Sequence, residues 1–153
     1  MNNWLNLEGN VCAVTGALGG MGVEICREFA RNGADVVLLD LDEDKVKTSA
    51  AGLSDEFGIR AEGYRMDATC EDEVQAAVDA TIRDFGRVDV LVNTAGILRF
   101  APMEDLPLSD WDAVIKVNLT GTFIASQRFG RQMIKQGAGR LVHISTAASY
   151  QPE

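Results

Sequence analysis

Residues 11–22 read Val11-Cys12-Ala13-Val14-Thr15-Gly16-Ala17-Leu18-Gly19-Gly20-Met21-Gly22, and this stretch decides the fold. Its first part is a continuous apolar run without alternation, the pattern of a strand buried on both faces. The run ends in a Gly-rich turn. Beyond Gly22, Val23, Ile25, Cys26, Phe29 and Ala30 can share one apolar stripe of a helix. The first backbone N–H groups of such a helix have no partner within it, and the helix dipole favours an anion there. Strand, turn and helix in this order therefore predict a seat for a diphosphate. Gly16 allows the sharp turn, Gly20 lets the backbone approach the phosphates, and Gly22 lets the helix pack close to the strand. The spacing Thr15-Gly16-x-x-x-Gly20-x-Gly22 differs from the common Gly-x-Gly-x-x-Gly dinucleotide fingerprint.

Outward from this turn, strand and helix signals alternate. Strands are predicted at residues 11–15, 35–39, 60–66, 88–92 and 140–145. Helices are predicted at 20–32, 42–57, after Thr69 to Phe85, and 109–136, the last with Ser109 as its N-cap and with Gly121 and Gly130 as close-packing points. Gly33, Gly58 and Gly86 fit helix stops. Five strands with crossover helices predict an α/β protein, a Rossmann-type doubly wound parallel sheet of order 3-2-1-4-5. Ligands of such sheets bind outside the carboxyl ends of the strands.

The strand ends carry suitable residues. Strand two ends at Asp40, 18 positions after Gly22. A carboxylate there can accept hydrogen bonds from both ribose hydroxyls of an adenosine and would repel a 2′-phosphate, which favours NAD over NADP. Asp42 fits the start of helix two better. Asp67-Ala68 closes strand three, where Asp67 can bond an adenine amino group or cap the next helix. Strand four ends in Asn93-Thr94-Ala95-Gly96, and the Asn93 amide can bridge neighbouring strands. Strand five ends in Ser145-Thr146. His143 reads as a packed or hydrogen-bonded strand residue.

Composition narrows the function. The chain has 153 residues, 46% hydrophobic and 24% charged, which suits one soluble globular domain. A net charge of −9 argues against binding nucleic acid or an anionic membrane through a general field. No apolar run approaches the ~20 residues of a membrane span. Trp4, Leu5 and Leu7 are broken by Asn6 and followed by Glu8, so no signal segment is expected. Cys12, Cys26 and Cys70 are odd in number and lack metal-type spacing. Buried reduced thiols and a reducing cytoplasm follow as expectations. The acids at 42–44 and 71–73 fall at helix starts, where negative charge is favoured, and no metal is expected.

Taken together, the motifs resemble those of the short-chain dehydrogenase/reductase family over nearly the whole chain. Residues 15–22 resemble its cofactor turn. Asn93-Thr94-Ala95-Gly96 resembles its Asn-Asn-Ala-Gly signature, with Thr94 replacing the second Asn. Lys116-Val117-Asn118-Leu119-Thr120-Gly121 resembles the helix bearing its active-site Asn. The stretch 139–146 resembles the strand that ends in its catalytic Ser. The amino-terminal residues 3–9 resemble those of sugar-alcohol-phosphate members. The resemblance implies hydride transfer between NAD and a small alcohol or carbonyl substrate, with Asn118 keeping a water in the proton path. It implies cofactor contacts from Thr15, Gly16, Leu18, Gly19, Gly20, Met21, Gly22, Asp40, Leu41, Met66, Asp67, Ala68, Asn93, Thr94, Ala95, Gly96 and Val117. The hydroxyl role falls to Thr146 by spacing, or to Ser145 or Ser149.

The family's Tyr-x-x-x-Lys does not occur before Glu153, and Tyr150 has no Lys four residues later. The chain is therefore expected to be the amino-terminal, cofactor-binding part of a longer enzyme, inactive alone, its parent a homodimer or homotetramer. The alternative is a non-catalytic NAD-binding or interaction module. A methyltransferase is the third reading, and the turn spacing and Asn-Thr-Ala-Gly oppose it.

Overall fold

The computed structural model describes residues 7–145. Five parallel strands, β1 (Val11–Thr15), β2 (Asp35–Asp40), β3 (Ala61–Arg65), β4 (Val90–Asn93) and β5 (Arg140–His143), form one sheet in the order β3-β2-β1-β4-β5. The helices are α1 (Gly20–Arg31), α2 (Glu43–Phe57), α3 (Glu71–Phe85), α4 (Leu108–Val114) and α5 (Thr122–Lys135). The doubly wound order read from the sequence is thus the observed one.

All five residues of β1 are buried, as its unalternating apolar run requires. Cys12 and Val14 face the core under α1 and α2, while Val11 and Ala13 face the core under α3 and α5. Asp42 caps α2, accepting the Lys45 N–H at 3.1 Å, and Gly58 closes that helix with φ +69°. The acids Glu43 and Asp44, and Glu71, Asp72 and Glu73, lie in the first turns of α2 and α3.

The long helix expected from Ser109 is different. It begins at Leu108, where the Pro107 carbonyl accepts the Asp110 and Trp111 N–H groups, so Ser109 sits inside the first turn rather than at the cap. It then passes through a π-helical stretch, Ile115–Gly121, before α5. Gly121 is a close-packing point, since a Cβ there would lie 3.3 Å from the Ala68 Cβ; Gly130 makes only ordinary contact with Leu141. β4 and β5 are shorter than predicted. Val88 and Asp89 precede β4, and Ser145 lies beyond β5. Leu141, Val142 and Ile144 are 39–45% exposed, so among the described residues the β5 side of the sheet presents an apolar edge. Among the described residues, no helix is long and apolar enough to cross a membrane.

Asp89 ties the amino ends of the central strands together. It is buried, its Oδ2 accepts the Val11 N–H at 2.9 Å, and Arg87 donates to both its oxygens. Asp89→Ala would strand the Val11 N–H in the interior. We expect it to lower unfolding free energy by about 2–3 kcal/mol, measured by urea denaturation.

Cys12 and Cys26 are both buried and both free. Burial pushes each thiol up to about 12, with Asp89 adding to the shift at Cys12. Both are neutral thiols at neutral pH and poor nucleophiles. Cys70 is only half-buried. A thiol reagent at neutral pH is expected to label Cys70 in the native chain and all three cysteines in denaturant. Equal labelling of the three without denaturant would contradict this packing.

Candidate functional site

The turn after β1 is built by backbone sterics. Gly16 has φ +64°, and a Cβ on it would lie 2.8 Å from the Ala95 N and Cα. Gly22 is tighter: its Cβ would fall 2.2 Å from the Gly16 carbonyl oxygen. At Gly20, by contrast, a Cβ would meet nothing within 4 Å, so this face of the turn is open. The amides are used in order. Ala17 N–H donates to the Leu39 carbonyl, Leu18 N–H to Asp40, and Gly19 N–H to the Gly16 carbonyl. The first bond of α1 then runs from the Val23 N–H to the Gly19 carbonyl, which leaves the amides of Gly20, Met21 and Gly22 ahead of the helical ladder. α1 has no side-chain cap and no acid in its first turn, unlike α2 with its Asp42 cap and α3 with its three acids. Its amino end is thus open to an anion.

Asp40 stands beside this turn. Its Oδ2 accepts the Leu18 N–H at 2.9 Å and its Oδ1 the Leu41 N–H at 2.7 Å. Two amides thus fix the carboxylate at the mouth of a cavity of about 380 Å³. Gly16, Leu18, Gly19, Asp40 and Leu41 line one side of that cavity. Met66, Asp67 and Ala68 form the second side, and Thr94, Ala95, Gly96, Ile97 and Val117 the third. Thr15 and Asn93 lie beneath it, buried in the sheet. Gly20, Met21 and Gly22 do not line it and continue from the turn into α1, where Met21 is exposed.

Asp67 is partly committed locally. Its Oδ1 accepts both the N–H and the hydroxyl of Thr69 at 2.8 Å, in the turn that leads to α3. The N-cap position itself belongs to Cys70.

The Thr94 hydroxyl donates to the Thr15 carbonyl at 2.5 Å, clamping the end of β4 to the start of the glycine turn. Thr15 Oγ1 in turn accepts the Ala95 N–H at 3.2 Å. Asn93 bridges strands as expected, reaching Thr15 on β1 and His143 on β5, and also Ser126 on α5. Asn118 lies in the π-helical stretch. Its Oδ1 accepts the Ile97 N–H at 2.8 Å and its Nδ2 donates to the Ile97 carbonyl at 2.9 Å. Its carboxamide therefore holds the loop that forms the third wall. Ser145 is exposed beyond β5. Thr146, Ser149 and Tyr150 lie outside the described residues.

Ile97 and Ser126 are contributors that sequence reading did not find. Ile97 acts through its backbone, and Ser126 reads as an ordinary helix residue, so neither carries a side-chain signal.

Residues 10–153 match the family model described as short chain dehydrogenase. The chain belongs to this family. It is 40% identical over 143 residues to the D-threitol dehydrogenase of Mycolicibacterium smegmatis, an alignment covering 94% of this chain and 55% of that protein. Among solved structures, the NAD+-bound xylitol dehydrogenase superposes with a TM-score of 0.91 at 36% identity, over 97% of this chain and 57% of the other. An NADPH-dependent 3-quinuclidinone reductase from Rhodotorula rubra gives a TM-score of 0.87 at 30% identity, over 97% and 56%. This short chain dehydrogenase chain thus spans a little over half the length of the relatives it matches.

Proposed function

We propose that the chain is the NAD-binding part of an oxidoreductase that moves a hydride between nicotinamide and a small alcohol or carbonyl substrate. The observation that carries this is the Asp40 carboxylate, held by two amides at the cavity mouth next to a helix end with free N–H groups. The amides of Gly20, Met21 and Gly22 would receive the diphosphate. Asp40 would accept the adenosine ribose hydroxyls. The walls formed by Leu41, Met66, Ala68 and Val117 would enclose the adenine, and the chain from Asn93 to Gly96 would carry the cofactor towards β5. When bound, NAD supplies the hydride acceptor, and the protein's part is to orient it and exclude water.

Asn118 holds the loop at Ile97, and the hydroxyl at Thr146 or Ser145 would hold the substrate oxygen. The two polyol dehydrogenases named above support a small hydroxylated substrate. We place the protein in the cytoplasm, and the complete enzyme as a homodimer or homotetramer.

Calorimetric titration with NAD, NADP and S-adenosylmethionine tests the reading. NAD is expected to bind at least about tenfold more tightly than NADP, since one lost charge-assisted hydrogen bond costs about that factor. Binding of S-adenosylmethionine alone would overturn it.

A further inference from the structure

One side chain joins the glycine turn to the outer strand of the sheet. Asn93 is 5% exposed, and every polar atom of its carboxamide is engaged. On one side, its Oδ1 accepts from Thr15 Oγ1 at 3.4 Å. On the other, its Nδ2 reaches Ser126 Oγ at 3.3 Å and His143 Nδ1 at 3.1 Å. The Ser126 hydrogen is already given to the Thr122 carbonyl at 2.5 Å, so Ser126 can only accept. The two ends of a carboxamide have nearly the same size, and shape alone does not choose between them. The choice falls to the acceptors on the β5 side.

We infer that His143 is a positioning residue: its Nδ1, as an acceptor beside Ser126 Oγ, holds the Asn93 amide with its NH2 towards β5 and its oxygen facing Thr15. Thr15 gives its hydroxyl hydrogen to Asn93 Oδ1, and the same Oγ1 accepts the Ala95 N–H at 3.2 Å. Ala95 is the residue whose backbone lies against Gly16, where a Cβ would sit 2.8 Å from its N and Cα. His143 on β5 thereby helps to set the wall of the cavity from the opposite end of a four-residue relay. An Nδ1–H on the ring would confront the Asn93 NH2, donor against donor. Flipping the amide to relieve this would set its carbonyl oxygen against Ser126, whose hydrogen is given to the Thr122 carbonyl, and would take away the acceptor of the Thr15 hydroxyl hydrogen. Only the Nε2–H tautomer satisfies all five groups.

The consequence for cofactor affinity rests on the proposed NAD-binding role; the tautomer does not. In the full chain with 15N-labelled histidine, long-range proton–nitrogen correlation at neutral pH is expected to show the Nε2–H tautomer at His143. An Nδ1–H tautomer overturns the inference whether or not NADH binds. His143→Leu removes the acceptor and is expected to weaken NADH binding about fivefold, the effect of one net hydrogen bond. His143→Asn puts Oδ1 where Nδ1 stood and is expected to restore affinity to within about twofold on the same scale. A Leu variant that binds as tightly as the parent, or an Asn variant as weak as the Leu variant, overturns it. Failure of the parent chain itself to bind NADH refutes the NAD-binding role and leaves the tautomer measurement to decide the relay.

Discussion

Gly22→Ala is expected to abolish measurable NADH binding and to lower the unfolding free energy by about 3 kcal/mol, at the upper end of overpacking effects. The added Cβ would lie 2.2 Å from the Gly16 carbonyl oxygen, 2.8 Å from the Ala17 Cα and 3.0 Å from the Ala17 carbonyl carbon. All three atoms are backbone, so no rotamer change relieves the contact. Either α1 moves away from β1 or the turn changes shape. In the first case, the core formed by Cys26 and Ala30 against Cys12 and Val14 opens. In the second, the amides of Gly20, Met21 and Gly22 at the start of α1 are displaced. Gly20→Ala is the control. Its Cβ meets nothing within 4 Å, so stability should stay within about 0.5 kcal/mol of the parent, the range of ordinary surface changes. Any loss of NADH affinity there would report the space the ligand needs. Urea denaturation and fluorescence titration of both variants check the pair. A Gly22→Ala chain that binds NADH like the parent would show that the close approach of α1 to the turn is not needed for binding.

The contrast between these two glycines shows what the sequence could and could not disclose. The order of strand, turn and helix was legible because buried parallel strands leave unbroken apolar runs such as 11–14, and because Gly58 and Gly86 mark helix ends that need a left-handed residue. Strand order followed from chain connectivity, and the cavity walls followed from the strand ends. Side-chain direction was not legible. Asp67 offered two partners of similar merit, and the structure shows that Thr69 takes one of its oxygens. Ser109 is not the cap because the helix starts earlier: the Pro107 carbonyl accepts the Asp110 and Trp111 N–H groups, which puts Ser109 inside the first turn. The π-helical stretch has no signature in periodicity, since it shifts the ladder by one residue where Asn118 is engaged by Ile97, a partner 21 residues away. The His143–Asn93 contact is likewise a matter of register across β4 and β5, which hydropathy does not encode.

Asp40→Asn is expected to change the preference for NAD over NADP by about a thousandfold, mainly by removing a repulsion. An anion held about 5 Å from a 2′-phosphate costs about 3 kcal/mol at the effective dielectric of a protein surface, and that corresponds to roughly two decades in affinity. The carboxylate cannot swing away to avoid the phosphate, because Leu18 N–H and Leu41 N–H hold its two oxygens from two different segments. Asn keeps an oxygen for one of these amides but turns an NH2 towards the other, so a modest stability loss of about 1 kcal/mol accompanies the change. Two effects therefore have to be separated. The charge effect should shrink with added salt, whereas the lost amide bond should not. Titrating NADH and NADPH against the parent and the variant at low and high ionic strength makes the separation. NADPH affinity should rise in the variant, most at low salt, while NADH affinity falls by about tenfold through loss of the charged acceptor for the ribose hydroxyls. A variant that loses both cofactors equally would mean that Asp40 serves only to brace the turn, and the selectivity would then have to reside in another residue of the cavity mouth.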